Sequence, residues 1–189
     1  MAVIFSPLKP VTDDELRVLA ERNPGYKFER NAKGELIVTP TGSESSRASA
    51  ETLGQLRDWN RRAARGVVFD SSGGFRLPDG SVFAPDASWV RRDRWDALSR
   101  EQREEFAPLC PDVVFEVRSK PDRLHDLREK MLAYIANGAH VAVLIDPYER
   151  TVEVFRPNRE TVVHCPPSPV ALDPELPGFV LEPDPIFTE

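Results

Sequence analysis

The chain has 189 residues, 40% of them hydrophobic, and a formal net charge of −6. This length suits one well-packed domain, and we predict a single domain over residues 1–189. The acidic balance disfavours a protein that coats nucleic acid nonspecifically, because such binding depends on neutralising phosphates. No apolar run reaches the ~18 residues that cross a bilayer, and the N-terminus lacks the features of a signal peptide, so we expect a cytoplasmic protein without a membrane partner.

The first predicted elements, over about residues 12–40, are a leading helix and a hairpin. Thr12 and Glu15 have the spacing of a capping box and begin a short helix. Strand-like segments at 26–30 and 35–39 flank a polar turn, which predicts the hairpin.

A long helix comes next in the predicted order. Ser43 can cap it, and Gly66 after Arg65 is a suitable C-terminal stop. Its polar residues are three or four apart on one face, which is typical of solvent-facing surface or of the lip of a cleft. These residues are Glu44, Arg47, Glu51, Gln55 and Asp58.

Short strands follow at 67–69 and around 75–77. Pro78-Asp79-Gly80-Ser81 is a strong turn signal between the second of these strands and a segment that ends at Val90. We therefore predict an antiparallel pair.

The second half of the predicted core is a crossover unit. A strand within residues 111–120 leads to a helix over 123–137, capped by Asp122, and then to the apolar run 141–145. Strand, helix and buried strand in this order predict parallel strands joined by a right-handed crossover. The Pro-rich residues 157–189 predict edge strands and a wrapping tail.

Two of these strands place acids among residues that favour burial. Asp86 follows a proline at the start of one strand, and Glu116 lies in the middle of another. Strand alternation sends one set of residues to the face of Glu116, namely Asp112, Val114, Glu116, Arg118 and Lys120. A buried carboxylate must be paired, hydrogen-bonded or metal-bound, because an isolated buried charge costs several kcal/mol or more. Arg118 is one candidate partner, and a divalent cation shared with Asp86 is another.

Structural roles compete with functional ones at both acids. An Asp after a proline at a strand start commonly caps or turns the chain, which is the alternative for Asp86. For Glu116 the alternative is a salt bridge to Arg118 or Lys120. We favour a functional role for both acids.

The order of the predicted elements carries a family resemblance. A helix, three strands, a helix and a strand, with an Asp on the second strand and a Glu-x-basic element on the third, resembles the PD-(D/E)XK nuclease superfamily. Five segments between about Thr12 and Leu181 are similar to the bacterial Uma-two-type restriction endonuclease family. They are Thr41-Gly42-Ser43-Glu44-Ser45, residues 66–72, Pro85-Asp86 with Ser88-Trp89-Val90, Glu116-Val117-Arg118-Ser119-Lys120, and residues 129–138.

The resemblance implies a fold and a metal site. The fold is α/β, with a restriction-endonuclease-like α-β-β-β-α-β core over about residues 43–156 and a central mixed β-sheet flanked by helices. Asp86, Glu116 and the backbone carbonyl of Val117 would hold Mg²⁺, with Mn²⁺ as its substitute, because hard cations prefer oxygen ligands.

A third acid could hold a second ion at this site. Glu51 is the first choice, by analogy with the superfamily's helix acid. Glu44 on the same stripe and Asp112 are the alternatives.

Arg118 departs from the superfamily pattern, which has lysine at that place. Arginine stays protonated in proteins, so it cannot accept a proton from water. A lysine at the position of Lys130 recurs in the family, which suggests that Lys130 replaces the missing lysine in space. Lys120 is the closer substitute in sequence. The structural alternative for Lys130 is a boundary residue whose stem covers the core.

The resemblance implies a magnesium-dependent endonuclease that hydrolyses DNA phosphodiester bonds, with Asp86, Glu116, Arg118 and Lys130 as catalytic residues. Cutting both strands with so small a domain would require a symmetric homodimer.

Two further expectations concern phosphate contacts and competing functions. Arg47, Ser71 and Ser72 are candidate nucleic-acid contacts, although a plain polar turn is favoured for the two serines. One competing function is a nuclease-fold protein that has lost strong catalysis and serves as a nucleic-acid- or protein-binding module, as the acidic pI and Arg118 favour. An RNA nuclease or another hydrolase is the second.

Overall fold

The computed structural model describes residues 3–40, 42–165 and 168–187, so Thr41 of the first family-like segment lies outside the described residues. The helices within these ranges are α1 (Asp13–Arg22), α2 (Ser43–Ala63), α3 (Arg92–Asp96), α4 (Arg100–Glu104) and α5 (Leu124–Ala136). None of them is long and apolar enough to cross a membrane.

Within the same ranges, the strands form two larger sheets and one small ladder. In chain order they are β1 (Val3–Phe5), β2 (Tyr26–Arg30), β3 (Leu36–Pro40), β4 (Gly66–Asp70), β5 (Phe75–Arg76), β6 (Val82–Phe83), β7 (Ala87–Arg91), β8 (Val113–Val117), β9 (Val141–Asp146), β10 (Thr151–Phe155), β11 (Val162–His164), β12 (Val170–Ala171) and β13 (Val180–Leu181). The sheet orders are β1-β3-β2-β6-β5, β11-β10-β9-β8-β7-β4 and β12-β13.

The six-stranded sheet contains the predicted core. Its strands β8 and β9 are parallel, and α5 connects them, which confirms the crossover unit. The other neighbouring strands in this sheet are antiparallel. The predicted order of helix, three strands, helix and strand is present as α2, β4, β7, β8, α5 and β9, in a mixed sheet flanked by helices.

The two faces of this sheet bury different partners. Val113, Phe115 and Val117 of β8 pack with α2 and the C-terminal tail. Val114, between them on the opposite face, packs with α5 and with β5 and β6 of the five-stranded sheet. Because Glu116 is two residues after Val114, it lies on the face covered by α5.

The five-stranded sheet contains the predicted N-terminal hairpin. The side chain of Thr12 accepts a hydrogen bond from the backbone N–H of Glu15 at 3.2 Å, which confirms the capping box of α1. β2 and β3 pair antiparallel as predicted, and β1 adds an outer strand that the sequence did not indicate. Arg30 on β2 pairs with Val82 on β6, which brings the hairpin to the edge of the core.

Several predicted helix ends were wrong, and one predicted strand is two. Gly42 rather than Ser43 is the N-cap of α2, and Ala64 rather than Gly66 ends it, in a left-handed conformation with φ 52°. Asp122 does not cap α5; its carboxylate instead accepts hydrogen bonds from the backbone N–H and hydroxyl of Ser119. The antiparallel pair across the predicted turn is present as β5 and β6, but the segment that ends at Val90 is divided, and its second part, β7, belongs to the other sheet.

Candidate active site

Asp86 and Glu116 are brought together where β7 begins and β8 ends. Because Ala87 pairs with Phe115, the preceding Asp86 lies opposite the following Glu116 in the antiparallel ladder. Asp86 Oδ2 accepts a hydrogen bond of 2.9 Å from the backbone N–H of Val117. The backbone of Val117 therefore lies beside the carboxylate pair, where the sequence predicts a carbonyl ligand.

Glu116 is 4% exposed and has two hydrogen-bonding partners from α5. Its Oε1 lies 2.7 Å from Nζ of Lys130 and accepts a 3.0 Å hydrogen bond from the hydroxyl of Tyr134. The Lys130 ammonium also lies 5.2 Å from the centre of the Phe83 ring. Lys130 therefore reaches the carboxylate pair from the helix, as its predicted spatial substitution for the strand lysine requires.

Two further charged residues complete the cluster, and sequence reasoning missed both. Glu29 on β2 is 4% exposed, and its two carboxylate oxygens lie 2.9 and 3.0 Å from Nζ of Lys130. The backbone N–H of Ala84 donates a 2.7 Å hydrogen bond to Glu29 Oε1. Lys27, two residues before Glu29 on the same strand, is the second.

The ammonium of Lys27 lies among three carboxylates. Its Nζ is 3.4 Å from Asp86 Oδ1, 3.9 Å from Glu29 Oε1 and 3.9 Å from Glu116 Oε2. Alternation places Lys27 and Glu29 on one face of the predicted strand, which is the only local signal for them. Their approach to Asp86 depends on how the two sheets meet.

The pKa values of Glu116 on β8 and Glu29 on β2 are shifted in opposite directions. Burial raises the pKa of Glu116, and the carboxylates of Asp86 and Glu29 add to this, against the opposing effect of the lysines. Burial also opposes the ionisation of Glu29, but the ammonium groups of Lys130 and Lys27 and the Ala84 amide lower its pKa below the ordinary value.

The basic and phenolic groups of the cluster stay protonated at neutral pH. Burial alone lowers the pKa of Lys130, but Glu116 and Glu29 outweigh it and raise the pKa. For Lys27, burial again lowers the pKa, and Glu29, Glu116 and Asp86 raise it overall. Burial and Glu116 hold the pKa of Tyr134 well above its ordinary value, so its hydroxyl is a hydrogen-bond donor.

Arg118 is not brought to the carboxylate pair. The strand ends at Val117, and Nη1 of Arg118 lies 2.6 Å from Asp146 Oδ2 at the end of β9. Its Nε donates a 3.2 Å hydrogen bond to the carbonyl of Asp122. Lys120, two residues on, is exposed in a turn. Among the described residues, Glu116 forms no salt bridge with Arg118 or Lys120, the structural alternative given above. It pairs with Lys130 and Lys27 instead.

The candidate acids and the arginine of α2 have other partners. Glu51 accepts a 3.4 Å hydrogen bond from Gln55, and Glu44 lies 2.7 Å from Arg47. Arg47 also donates hydrogen bonds to the carbonyls of Pro185 and Ile186, so it anchors the C-terminal tail. Because α2 packs on the face of β8 opposite Glu116, these side chains are not part of the cluster.

Asp112 and the two serines also lie away from the cluster. Asp112 precedes β8 at the end opposite Glu116, accepts a 2.9 Å hydrogen bond from the backbone N–H of Arg91, and lies 2.8 Å from Arg94 Nη1. Ser71 and Ser72 are exposed in the turn after β4, where the Ser72 N–H donates to Asp70.

The carboxylate pair has the donor chemistry for one hard cation. Within residues 3–40, 42–165 and 168–187, no three His, Cys, Asp or Glu side chains are grouped as a metal site. Asp86 and Glu116 would therefore need water and a backbone oxygen as further ligands, which suits Mg²⁺ because it retains several waters. Two oxygens of the pair, Asp86 Oδ1 and Glu116 Oε2, already face the ammonium of Lys27.

A solved structure from Anabaena variabilis shares this fold. It is described as a "putative nuclease belonging to DUF820" and superposes with a TM-score of 0.75 over 94% of this chain and 98% of that chain, at 23% sequence identity. A search of the curated proteins finds no match. The similarity supports a restriction-endonuclease-like fold.

The family match covers nearly the whole chain, including every residue of the carboxylate and lysine cluster. The matching family is described as "Putative restriction endonuclease", and the match spans residues 13–184. Because the match spans most of the chain, the chain belongs to this Uma2 family.

Proposed function

We propose that the protein is a magnesium-dependent endonuclease that hydrolyses phosphodiester bonds in DNA. The observation that carries the proposal is the contact of Asp86 and Glu116 across β7 and β8, with the Lys130 ammonium 2.7 Å from Glu116. Two carboxylates and a buried cation at one end of two interior strands of a nuclease-fold sheet provide the charges that phosphoryl transfer requires.

Asp86 and Glu116 are the proposed ligands of Mg²⁺, with the Val117 carbonyl as a third. When bound, Mg²⁺ would supply Lewis acidity and lower the pKa of a coordinated water. Val117 N–H and Tyr134 OH each hold one oxygen of the pair, and both restrict how the carboxylates can turn.

Lys130 is the proposed catalytic cation in place of the strand lysine. Because its raised pKa keeps it protonated, it can donate a hydrogen bond to a phosphoryl oxygen or a leaving oxygen. It cannot accept the proton of the attacking water in that form. Arg118 is left out of the reaction in this proposal because Asp146 binds its guanidinium.

The active form is proposed to be a homodimer. One chain contributes one carboxylate pair, and two cuts in a DNA duplex need two such sites in a symmetric arrangement. Sedimentation of the protein with and without duplex DNA would measure this, and a monomer in both states would contradict it.

The substrate class is tested with end-labelled oligonucleotides of one sequence. Duplex DNA, single-stranded DNA and RNA are incubated with Mg²⁺ or Mn²⁺, with EDTA and with the Asp86→Asn variant as controls. We expect cleavage of DNA that depends on the metal and on Asp86. Cleavage of RNA alone would replace the DNA proposal by an RNA nuclease.

The second candidate function is a nucleic-acid- or protein-binding module with little catalysis. The observation in its favour is that two lysines already neutralise most of the charge on the carboxylates, while the residue at the superfamily's lysine position forms a structural ion pair. Metal-independent DNA binding, with no cleavage under any metal, would favour this candidate.

A further inference from the structure

Lys27 occupies the space that the two proposed metal ligands share. Its Nζ lies 3.4 Å from Asp86 Oδ1 and 3.9 Å from Glu116 Oε2, and Glu29 Oε1 is also 3.9 Å away. The side chain is only 17% exposed, so its ammonium lies inside the cluster. Both distances to the proposed ligands exceed the 2.7 Å contact between Lys130 and Glu116.

The net charge of the cluster is consistent with replacement of the Lys27 ammonium by a divalent cation. Three carboxylates, of Glu29, Asp86 and Glu116, face the ammonium groups of Lys27 and Lys130. With all five groups ionised, the net charge of the cluster is −1. Without the Lys27 ammonium the net charge would be −2, which a divalent ion such as Mg²⁺ or Mn²⁺ neutralises.

The two lysines differ in how firmly they are held. Lys130 contacts both oxygens of Glu29 and one oxygen of Glu116 within 3.0 Å, and its ammonium faces the rings of Phe83 and Tyr134. Lys27 forms one long hydrogen bond, of 3.4 Å, to Asp86. By contact distance, Lys27 is therefore the less closely bound of the two cations.

We infer that Lys27 is an internal counter-cation that a divalent metal ion displaces when it binds Asp86 and Glu116. This inference rests on the metal-dependent function proposed above. In the metal-free protein, Lys27 stabilises three neighbouring carboxylates that would otherwise repel each other with only Lys130 between them. Metal binding then exchanges one cation for another, so Lys27 weakens the apparent metal affinity.

Metal affinity tests the exchange directly. Mn²⁺ binding is measured by isothermal titration calorimetry at neutral pH for the wild type, Lys27→Met and Lys27→Arg. We expect Lys27→Met to bind Mn²⁺ at least about tenfold more tightly than the wild type, because no ammonium must leave. Lys27→Arg keeps the cation and should bind no more tightly than the wild type.

The matched control is Lys33→Met, which makes the same charge change at an exposed residue in the turn between β2 and β3. It should leave Mn²⁺ affinity unchanged, which separates release of Lys27 from the change in net charge. If Lys27→Met binds Mn²⁺ no more tightly than the wild type, while Asp86→Asn abolishes binding, the exchange is wrong and the metal site stands. If no protein binds Mn²⁺, the metal-dependent function fails and the exchange fails with it.

A second measurement needs no variant and is independent of whether Lys27→Met folds. The wild-type protein is treated with an acetylating reagent with and without Mn²⁺, and each lysine is quantified by mass spectrometry. We expect Mn²⁺ to raise the acetylation rate of Lys27 several-fold while Lys130 stays protected and Lys33 stays reactive. An unchanged rate at Lys27 in protein saturated with Mn²⁺ would overturn the exchange.

Discussion

The two ends of β8 each hold a buried carboxylate, and their partners differ. Asp112, 0% exposed, accepts a hydrogen bond from the Arg91 backbone N–H through Oδ2, and its Oδ1 forms an ion pair with the Arg94 guanidinium but has no hydrogen-bond donor among the described residues. Glu116, 4% exposed, shares the ammonium groups of Lys130 and Lys27 with two other carboxylates.

The comparison teaches that burial alone does not identify a functional acid. Asp112 is matched by partners of its own, so its surroundings are those of a structural ion pair. At Glu116 three acids compete for two cations, which leaves negative charge available to a further cation. Strand alternation placed Asp112 and Glu116 on the same face of the predicted strand. Only their charged partners in the structure distinguish the two acids.

The largest expected effect is at the Glu116 end. Glu116→Gln keeps the shape but removes a charge that the proposed metal needs, so phosphodiester cleavage should fall by about 10²–10³-fold. Rates on a labelled DNA duplex at saturating Mg²⁺ measure this. If Glu116→Gln cleaves at the wild-type rate and Asp112→Asn does not, the assignment of Glu116 as the functional acid is wrong.

A substitution at Asp112 should lower the stability of the protein rather than its activity. Asp112→Asn leaves the Arg94 guanidinium without its buried partner, and we expect a loss of about 2 kcal/mol in the free energy of unfolding. Urea denaturation followed by circular dichroism measures the loss. Cleavage per folded molecule should stay at the wild-type level, and a fall in that rate would give Asp112 a functional role.

The pH dependence of metal binding sharpens the contrast at Glu116. Protonated carboxyls do not bind metal, and the raised pKa of Glu116 lies above the ordinary 4.5. Metal affinity should therefore fall as pH falls through that raised pKa, by up to about tenfold per pH unit. Mn²⁺ titrations between pH 7 and pH 5 test this. Asp112→Asn should show the same dependence of Mn²⁺ affinity on pH as the wild type. If the affinity falls only near the pKa of an ordinary glutamate, the raised pKa of Glu116 is contradicted.

The smallest expected effect on metal binding and cleavage is at Arg118. Arg118→Gln removes the ion pair with Asp146, whose other oxygen still accepts hydrogen bonds from the backbone N–H groups of Tyr148 and Glu149. Because Asp146 is 1% exposed and loses its cationic partner, we expect a stability loss of about 2 kcal/mol but unchanged Mn²⁺ affinity and cleavage. Lys120→Gln, at an exposed position, is the control that should change none of these. A large loss of cleavage in stable Arg118→Gln protein would return Arg118 to the catalytic residues.

Local signals predicted much of the fold. The capping box of α1 and the crossover through α5 depend on residues close in sequence, and both were confirmed. The family resemblance, rather than a local signal, implied that Asp86 and Glu116 meet, and the register of β7 with β8 places them opposite each other.

The remaining parts of the site depend on contacts that sequence spacing does not reveal. Lys27 and Glu29 reach Asp86 and Lys130 across 59 and 101 residues, through the packing of one sheet against another. Arg118 turns to Asp146, 28 residues later, because the parallel neighbour β9 ends beside it.

Cleavage of supercoiled plasmid tests the central claim most directly, namely that Asp86 and Glu116 form a metal-dependent phosphodiesterase centre. Wild-type protein and Asp86→Asn are incubated with plasmid in Mg²⁺ and in EDTA, and nicked and linear products are quantified. We predict products only for the wild type with Mg²⁺. Equal cleavage by Asp86→Asn, or cleavage in EDTA, would contradict the claim.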